Sequence, residues 1–303
     1  MRFETRPAVV GAHLYLIGGF RPPYESIEPS AWRYDPLADA WAALAQMPVP
    51  VTHSGVAVAG SDVWVAGGFV GDNPGPATTR VQIYDTHEDG WRDGPSLPMH
   101  SASAAAATVD SRLHLIGGLD LDRKTDVLDH LVLDTADPRR QWSRLAPLPA
   151  PGRNHHSAVG LDGRVYVIGG HSGHDGPLVD LKLAHSYDPQ SDSWHRIADL
   201  PEERHHCEAS TFVWNNRIVV GGGLGPGRVA ALPDLVAYDP DQDRWESIGL
   251  LPTPLWGTVV QLVGDALIVT TGSTHTNKGA SGDTWSYSLG RSAVGESPPT
   301  PLP

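Results

Sequence analysis

The chain has 303 residues, with 35 acidic against 22 basic side chains and a formal net charge of −13. That charge repels phosphate backbones and anionic membrane surfaces, and no basic stripe offsets it, so neither nucleic acid nor membrane is an expected partner. Cys207 is the single cysteine, which forbids an internal disulfide, and no apolar stretch reaches signal-peptide or membrane-span length; both features fit a cytoplasmic protein.

Along the chain, an apolar run ending in small residues appears six times, each time followed by a second mark. The first, "LYLIGG", places Gly18 and leads to Tyr34-Asp35 and Trp41. "VWVAGG" places Gly67 before Tyr84-Asp85 and Trp91, and "LHLIGG" places Gly117 before Leu133-Asp134 and a delayed Trp142. "VYVIGG" gives Gly169, Tyr187-Asp188 and Trp194; "IVVGGG" gives Gly221, Tyr238-Asp239 and Trp245. The sixth, "LIVTTG", gives Thr271 and Tyr287, with Val294 in the tryptophan's place. Successive intervals of 49, 50, 52, 52 and 50 residues make this an internal repeat.

Each repeat reads as four short strands. A strand rich in small apolar residues, such as "HSGVAVA", passes through a tight turn (Asp162-Gly163, Asn215-Asn216) into the strand that ends at the glycines. A longer loop leads to the Tyr-Asp strand, and a turn such as "DPQSDS" leads to the tryptophan strand. Consecutive apolar positions require cover on both faces of each sheet, which radial stacking provides.

The glycine pair, the Tyr-Asp and the tryptophan at fixed offsets resemble the kelch family from about residue 7 to 297. The resemblance implies an all-β fold, a six-bladed kelch-type propeller with four antiparallel strands per blade. A single domain is expected over residues 1–297, with 298–303 a proline-rich, disordered tail. Repeat one starts at its first strand and repeat six finishes at its fourth, so no blade is completed from both termini, and ring closure is expected to be the weakest part of the fold.

In such a blade the loops after the second and fourth strands emerge on one side. Nine of the 15 histidines fall in those segments: His53, His100, His155, His156, His171, His174, His205, His206 and His275. The kelch pattern commonly has a histidine before a serine at the start of the first strand, which assigns His53 and His156 to the framework. His155 and His206 are not explained by the repeat, and His171 directly follows a glycine pair. These three imidazoles are the candidate ligands for a transition metal, zinc, copper or iron, with Asp175, Glu203 and Glu208 as candidate acceptors behind them. Cys207 reads as a small buried residue and not a nucleophile.

Three enzyme groups of similar fold frame the chemistry. Galactose-oxidase-like copper enzymes use a Tyr-His pair that this chain lacks. Plant specifier proteins carry a Glu-x-x-x-Asp-x-x-x-His motif that Asp122, Asp126 and His130 match only loosely. The sialic-acid mutarotase needs a carboxylate beside arginines, for which Glu203, Arg153 and Arg204 are the candidate catalytic set. The leading expectation is a monomeric binding module that holds a peptide, carbohydrate or other small ligand in a bowl on the loop face. Its candidate contacts are Arg21, Tyr24, Phe69, Arg153, His155, His171, Arg204, His206 and Trp256. The alternative is a metal-dependent lyase, isomerase or oxidase at the channel mouth.

Overall fold

Residues 2–21, 26–137, 139–274 and 280–289 are described by the computed structural model, and they form six antiparallel sheets around a central channel. Blade one is Arg6–Val10, His13–Ile17, Ala31–Asp35 and Ala40–Ala43, hydrogen-bonded in that order. Blade two is Gly55–Ala59, Asp62–Ala66, Val81–Asp85 and Gly90–Asp93. Blade three is Ala105–Val109, Arg112–Ile116, His130–Asp134 and Ser143–Arg144. Blade four is Ser157–Leu161, Arg164–Ile168, Ala184–Asp188 and Ser193–Ile197, and blade five is Thr211–Trp214, Arg217–Gly221, Asp234–Asp239 and Arg244–Leu250. Blade six shows Val259–Val263, Ala266–Thr270 and Thr284–Ser288; Val294 and the 298–303 segment lie outside the described residues.

The turns between the first two strands follow their sequence. Asp162 and Gly163 both hold positive φ (48° and 71°), as do Asn215 and Asn216 (48° and 57°), the geometry of a two-residue hairpin that suits the right-handed twist of strands. The glycine pair answers a steric demand. A Cβ on Gly19 would lie 2.6 Å from the carbonyl oxygen of Phe3, and one on Gly68 would lie 2.5 Å from that of Thr52, because the segment entering each inner strand is pressed against the pair. In the fifth repeat the residues with this positive φ are Gly222 and Gly223, not Gly221, which ends the strand. A turn at Cys207–Ser210 before the inner strand of that blade shifts the register.

The core consists of apolar clusters between neighbouring blades. Tyr15, Ile17, Val63, Val65 and Tyr84 join blades one and two; Phe212, Val219, Val260, Leu267 and Trp285 join five and six. Among the described residues, Leu14, Leu16 and Tyr34 meet Val259, Val263 and Ile268, which joins blade six to blade one through side-chain packing. Phe3 adds an edge-on contact with Trp256 at 4.4 Å across the same junction.

Polar links repeat between blades. The tryptophan indoles donate to carbonyls of the preceding blade: Trp91 to Ala45, Trp142 to Pro95, Trp194 to Ala146 and Trp245 to Ala198, all at 2.8–2.9 Å. Trp41 instead lines a cavity of about 540 Å³ at the junction of blades six and one, with Trp32, Arg2 and Arg21. Among the described residues, no helix is long and apolar enough to cross a membrane.

Candidate binding site at the channel mouth

The segment entering each inner strand contributes one residue in the left-handed backbone region: Glu4, His53, Ser103, His155, His206 and Gly257, all with φ between 48° and 56°. Five of the six stand fourteen residues before the first small residue of their repeat, and His206 stands sixteen before Gly222 because of the extra turn. The preceding residues, Phe3, Thr52, Ala102, Asn154, His205 and Trp256, each bridge to the residue after a glycine pair: Phe20, Phe69, Leu119, His171, Leu224 and Ser273. Six equivalent backbone kinks therefore surround the channel axis, and the side chains they carry decide what the channel mouth is.

Above this ring lies a cavity of about 600 Å³, lined by Phe3, Phe20, Leu224 and Trp256 on its apolar side and by Glu4, His53, His155, His174, His206, Arg123 and Arg228 on its polar side. Glu4 is the hub of the floor. One carboxylate oxygen is 3.1 Å from His53 Nε2 and the other 3.3 Å from His206 Nε2. Burial opposes its ionisation, but the two imidazoles hold its carboxyl well below the usual carboxylate range. His155 stacks on His206 at 3.9 Å and places Nδ1 3.1 Å from Glu208, whose same oxygen takes Arg6 at 2.8 Å. Burial first, then the neighbouring imidazoles, push His155 well below the ordinary histidine range, so its ring is neutral. The rim holds His174, 2.8 Å from Asp175, and Arg123, which pairs with the other oxygen of Asp175 and lies 4.0 Å over the Phe69 ring. The Trp256 indole nitrogen is buried and has no hydrogen-bond partner, which leaves a donor at the cavity wall.

The residues expected from sequence separate into two groups. His155, His206 and Trp256 line the cavity; Phe69 lies behind it against His53, and His171 is fully buried, with Nδ1 2.7 Å from the Gly173 carbonyl and Nε2 3.2 Å from Arg228. The arginines are a correction. Arg153 is wholly buried and donates to the Leu183 carbonyl, and Arg204 donates to the Gly222 carbonyl and forms a two-pronged pair with Asp234 at 2.8 Å. Arg2 occupies the equivalent place in blade one and clamps the Gly18 and Ser30 carbonyls, so all three pin an entering segment to its own blade. Glu203 does not line the cavity, and with both arginines occupied the set Glu203, Arg153 and Arg204 is not a catalytic site. Arg21 pairs with Glu28 at the junction of blades six and one, away from the mouth, while Tyr24 and His275 lie outside the described residues.

The histidine assignments are also corrected. His53 is equivalent to His155, not to His156, and belongs to the mouth. His156 is the framework member: its Nε2 is 3.1 Å from the Ile116 carbonyl, beneath Gly117. His155, His171 and His206 do not form one ligand set. The face-to-face stacking of His155 and His206, only 12° from parallel, puts their nitrogens in separate planes, whereas one ion must lie near the plane of each imidazole it binds. Asp122 caps its own turn at Thr125, while Asp126 bonds Asn154 and Ser172, and His130 is interior to blade three, so these three do not meet. Cys207 is buried, and burial pushes its thiol up to about 11, which removes it as a nucleophile at neutral pH. Glu4, Arg6, Arg123 and Arg228 were not legible as site residues; counting back fourteen from Gly18 would have reached Glu4.

Comparison with known proteins agrees with this architecture. A family model described as the KLHDC2/KLHL20/DRC7 Kelch-repeats domain matches residues 4–198 and 52–272. Kelch-like protein 23 of Pongo abelii is 26% identical over 247 residues, 81% of this chain and 41% of its own length. Kelch-like protein terF of Aspergillus terreus is 28% identical over 294 residues, 91% of this chain and 63% of its own. The chain thus spans less than two thirds of the length of these relatives. Among solved structures, YjhT superposes with a TM-score of 0.71 at 17% identity, covering 81% of this chain and 84% of that one, a likeness of fold. With six glycine-marked blades and a family match over most of its length, the chain belongs to the Kelch-repeat family and is a six-bladed propeller.

Proposed function

We propose that this propeller is a binding module that takes a small hydroxyl- or amide-bearing ligand, a carbohydrate or a short peptide segment, in the cavity at the channel mouth. The observation that carries this reading is the division of that cavity into an aromatic wall and a buried polar floor. Phe3, Phe20 and Trp256 offer flat apolar surface, while Glu4, His155 and the unpartnered Trp256 indole offer acceptors and a donor in fixed places. Ligand sites of this size are concave and mostly apolar with a few placed polar groups. The polar groups are held from behind by Glu208, Thr52 and Asp175, so little ordering is needed when a ligand enters.

Glycan and peptide arrays probed with the purified chain test this, followed by calorimetry on the best binder of each class. Trp256→Ala is expected to weaken the selected ligand at least about tenfold, the loss typical of a central aromatic contact. Arrays that yield no ligand of either class, or a ligand whose affinity Trp256→Ala and His206→Ala leave unchanged, would exclude the mouth as the site.

A further inference from the structure

We propose that His53, His155 and His174 form a three-histidine site for a divalent transition-metal ion between the floor and the rim of the mouth cavity. One ring nitrogen of each lies within 4.8 Å of one nitrogen of each of the others. The three come from different loops, and all line the cavity. His53 and His155 are fixed by the left-handed kink of blades two and four, and His174 follows Gly173, which holds a φ of 80°.

The Nδ1 of each ring already has a partner. His53 Nδ1 is 3.0 Å from the Thr52 hydroxyl, His155 Nδ1 is 3.1 Å from Glu208, and His174 Nδ1 is 2.8 Å from Asp175. His155 and His174 keep Nε2 to bind an ion, whereas His53 Nε2 now lies 3.1 Å from Glu4, a contact that an ion at that nitrogen would replace. A hydroxyl or carboxylate behind each imidazole is the arrangement that fixes the tautomer and raises the basicity of metal-ligating histidines. The ring of His53 crosses those of His155 and His174 at 77° and 86°, while those two lie 11° from parallel with centroids 5.7 Å apart, beyond the 3.9 Å of the His155–His206 stack, so a shared ion requires the His174 ring to turn on its loop. An ion bound at about 2.0–2.1 Å would draw the nitrogens to roughly 3.3 Å apart, a small closure from 4.8 Å. The fourth position then faces the cavity, as in sites that keep one position open to water or ligand.

A second cluster, His171, His205 and His206, has its nitrogens equally close. It is the poorer site. His205 Nδ1 and His206 Nδ1 hydrogen-bond each other, and the Arg228 guanidinium sits 3.2 Å from His171 Nε2, where it opposes a cation. The proposed site has Glu4, Glu208 and Asp175 around it instead; Arg6 and Arg123 are each paired with one of those carboxylates.

The full chain, stripped with chelator, is titrated with zinc and separately with cobalt(II). Bound metal is read by mass spectrometry and by the visible absorption of four-coordinate cobalt. One equivalent is expected, with a rise in melting temperature on addition of zinc. His174→Gln, on a loop, should weaken binding at least tenfold and abolish the zinc-dependent rise, whereas His171→Gln should leave both intact. Asp175→Asn, which keeps the ligands, should weaken binding about 10- to 100-fold and serves if His174→Gln does not fold. Absence of zinc and cobalt binding in the wild type overturns the proposal, as does binding that survives His174→Gln or is lost instead in His171→Gln. None of these outcomes depends on the carbohydrate or peptide reading.

Discussion

In the interior of blade three the ring nitrogens of His114 and His130 stand 2.8 Å apart, and neither ring reaches solvent. Burial lowers His114 to about 4, and burial with the charge of its partner lowers His130 to about 3. Unfolded histidines titrate near 6.5, so below that pH the unfolded chain takes up protons that the folded chain refuses. Stability is therefore complete above pH 6.5 and falls as the pH drops toward 4, with His114 alone accounting for on the order of 3 kcal/mol. Urea unfolding at pH 7.0 and pH 4.5 measures this loss. The double variant His114→Leu, His130→Leu should flatten the pH dependence, and an unchanged slope would assign the effect to other buried imidazoles such as His156, lowered to about 3. The neighbours His155 and His156 show how finely a residue's role is set. The φ of 48° at His155 turns its ring to the channel, and the next residue, buried under Gly117, returns to the framework. Adjacent letters of the same type do not reveal which of the two carries the kink.

At the scale of the element, the Tyr-Asp strand and its turn link one blade to the next. Tyr187 donates to Asp192 at 2.6 Å, and the same aspartate oxygen accepts the Ala146 N–H of the preceding blade at 2.8 Å. Tyr84 with Asp89 and Tyr238 with Asp243 repeat the arrangement, reaching Ala45 and Ala198. The seven-residue spacing from tyrosine to tryptophan was legible, because both lie within one hairpin, whereas the aspartate five residues after each tyrosine stood unmarked in a polar turn. What these residues reach was not legible, because the partner carbonyls and amides belong to the previous repeat. Asp192→Ala strips two bonds, one of them between blades, and should cost about 2 kcal/mol at roughly 1 kcal/mol per bond. Asp39→Ala removes the Tyr34 bond, which stays within blade one, and should cost about half as much. Equal shifts of the two urea midpoints would show that the inter-blade bond contributes nothing.

At the scale of the molecule, the ring closes by side-chain packing between blades six and one, and Phe3 against Trp256 is the contact that ties this seam to the site. Phe3→Ala should cost about 3–5 kcal/mol, the range for a buried phenylalanine, and should raise amide exchange first in Ala31–Asp35 and Val259–Val263. Uniform exchange over all six blades after that substitution would show that the seam is no weaker than the other junctions. The same closure sets the site. Blade count, hairpin turns, glycine pairs and the Tyr-Asp and tryptophan marks were determined by the sequence itself, since each depends on backbone geometry within one repeat of about 50 residues. The meeting of Glu4 with His53 and His206 was decided by the tertiary structure alone. Six blades turning through a full circle bring the first entering segment beside the fifth and sixth, and no spacing along the chain records that contact. The burial of Arg153 and Arg204 was decided in the same way: a sequence shows that a charge stands near a loop, but only the packed blade shows that backbone carbonyls and, for Arg204, the Asp234 carboxylate already hold it.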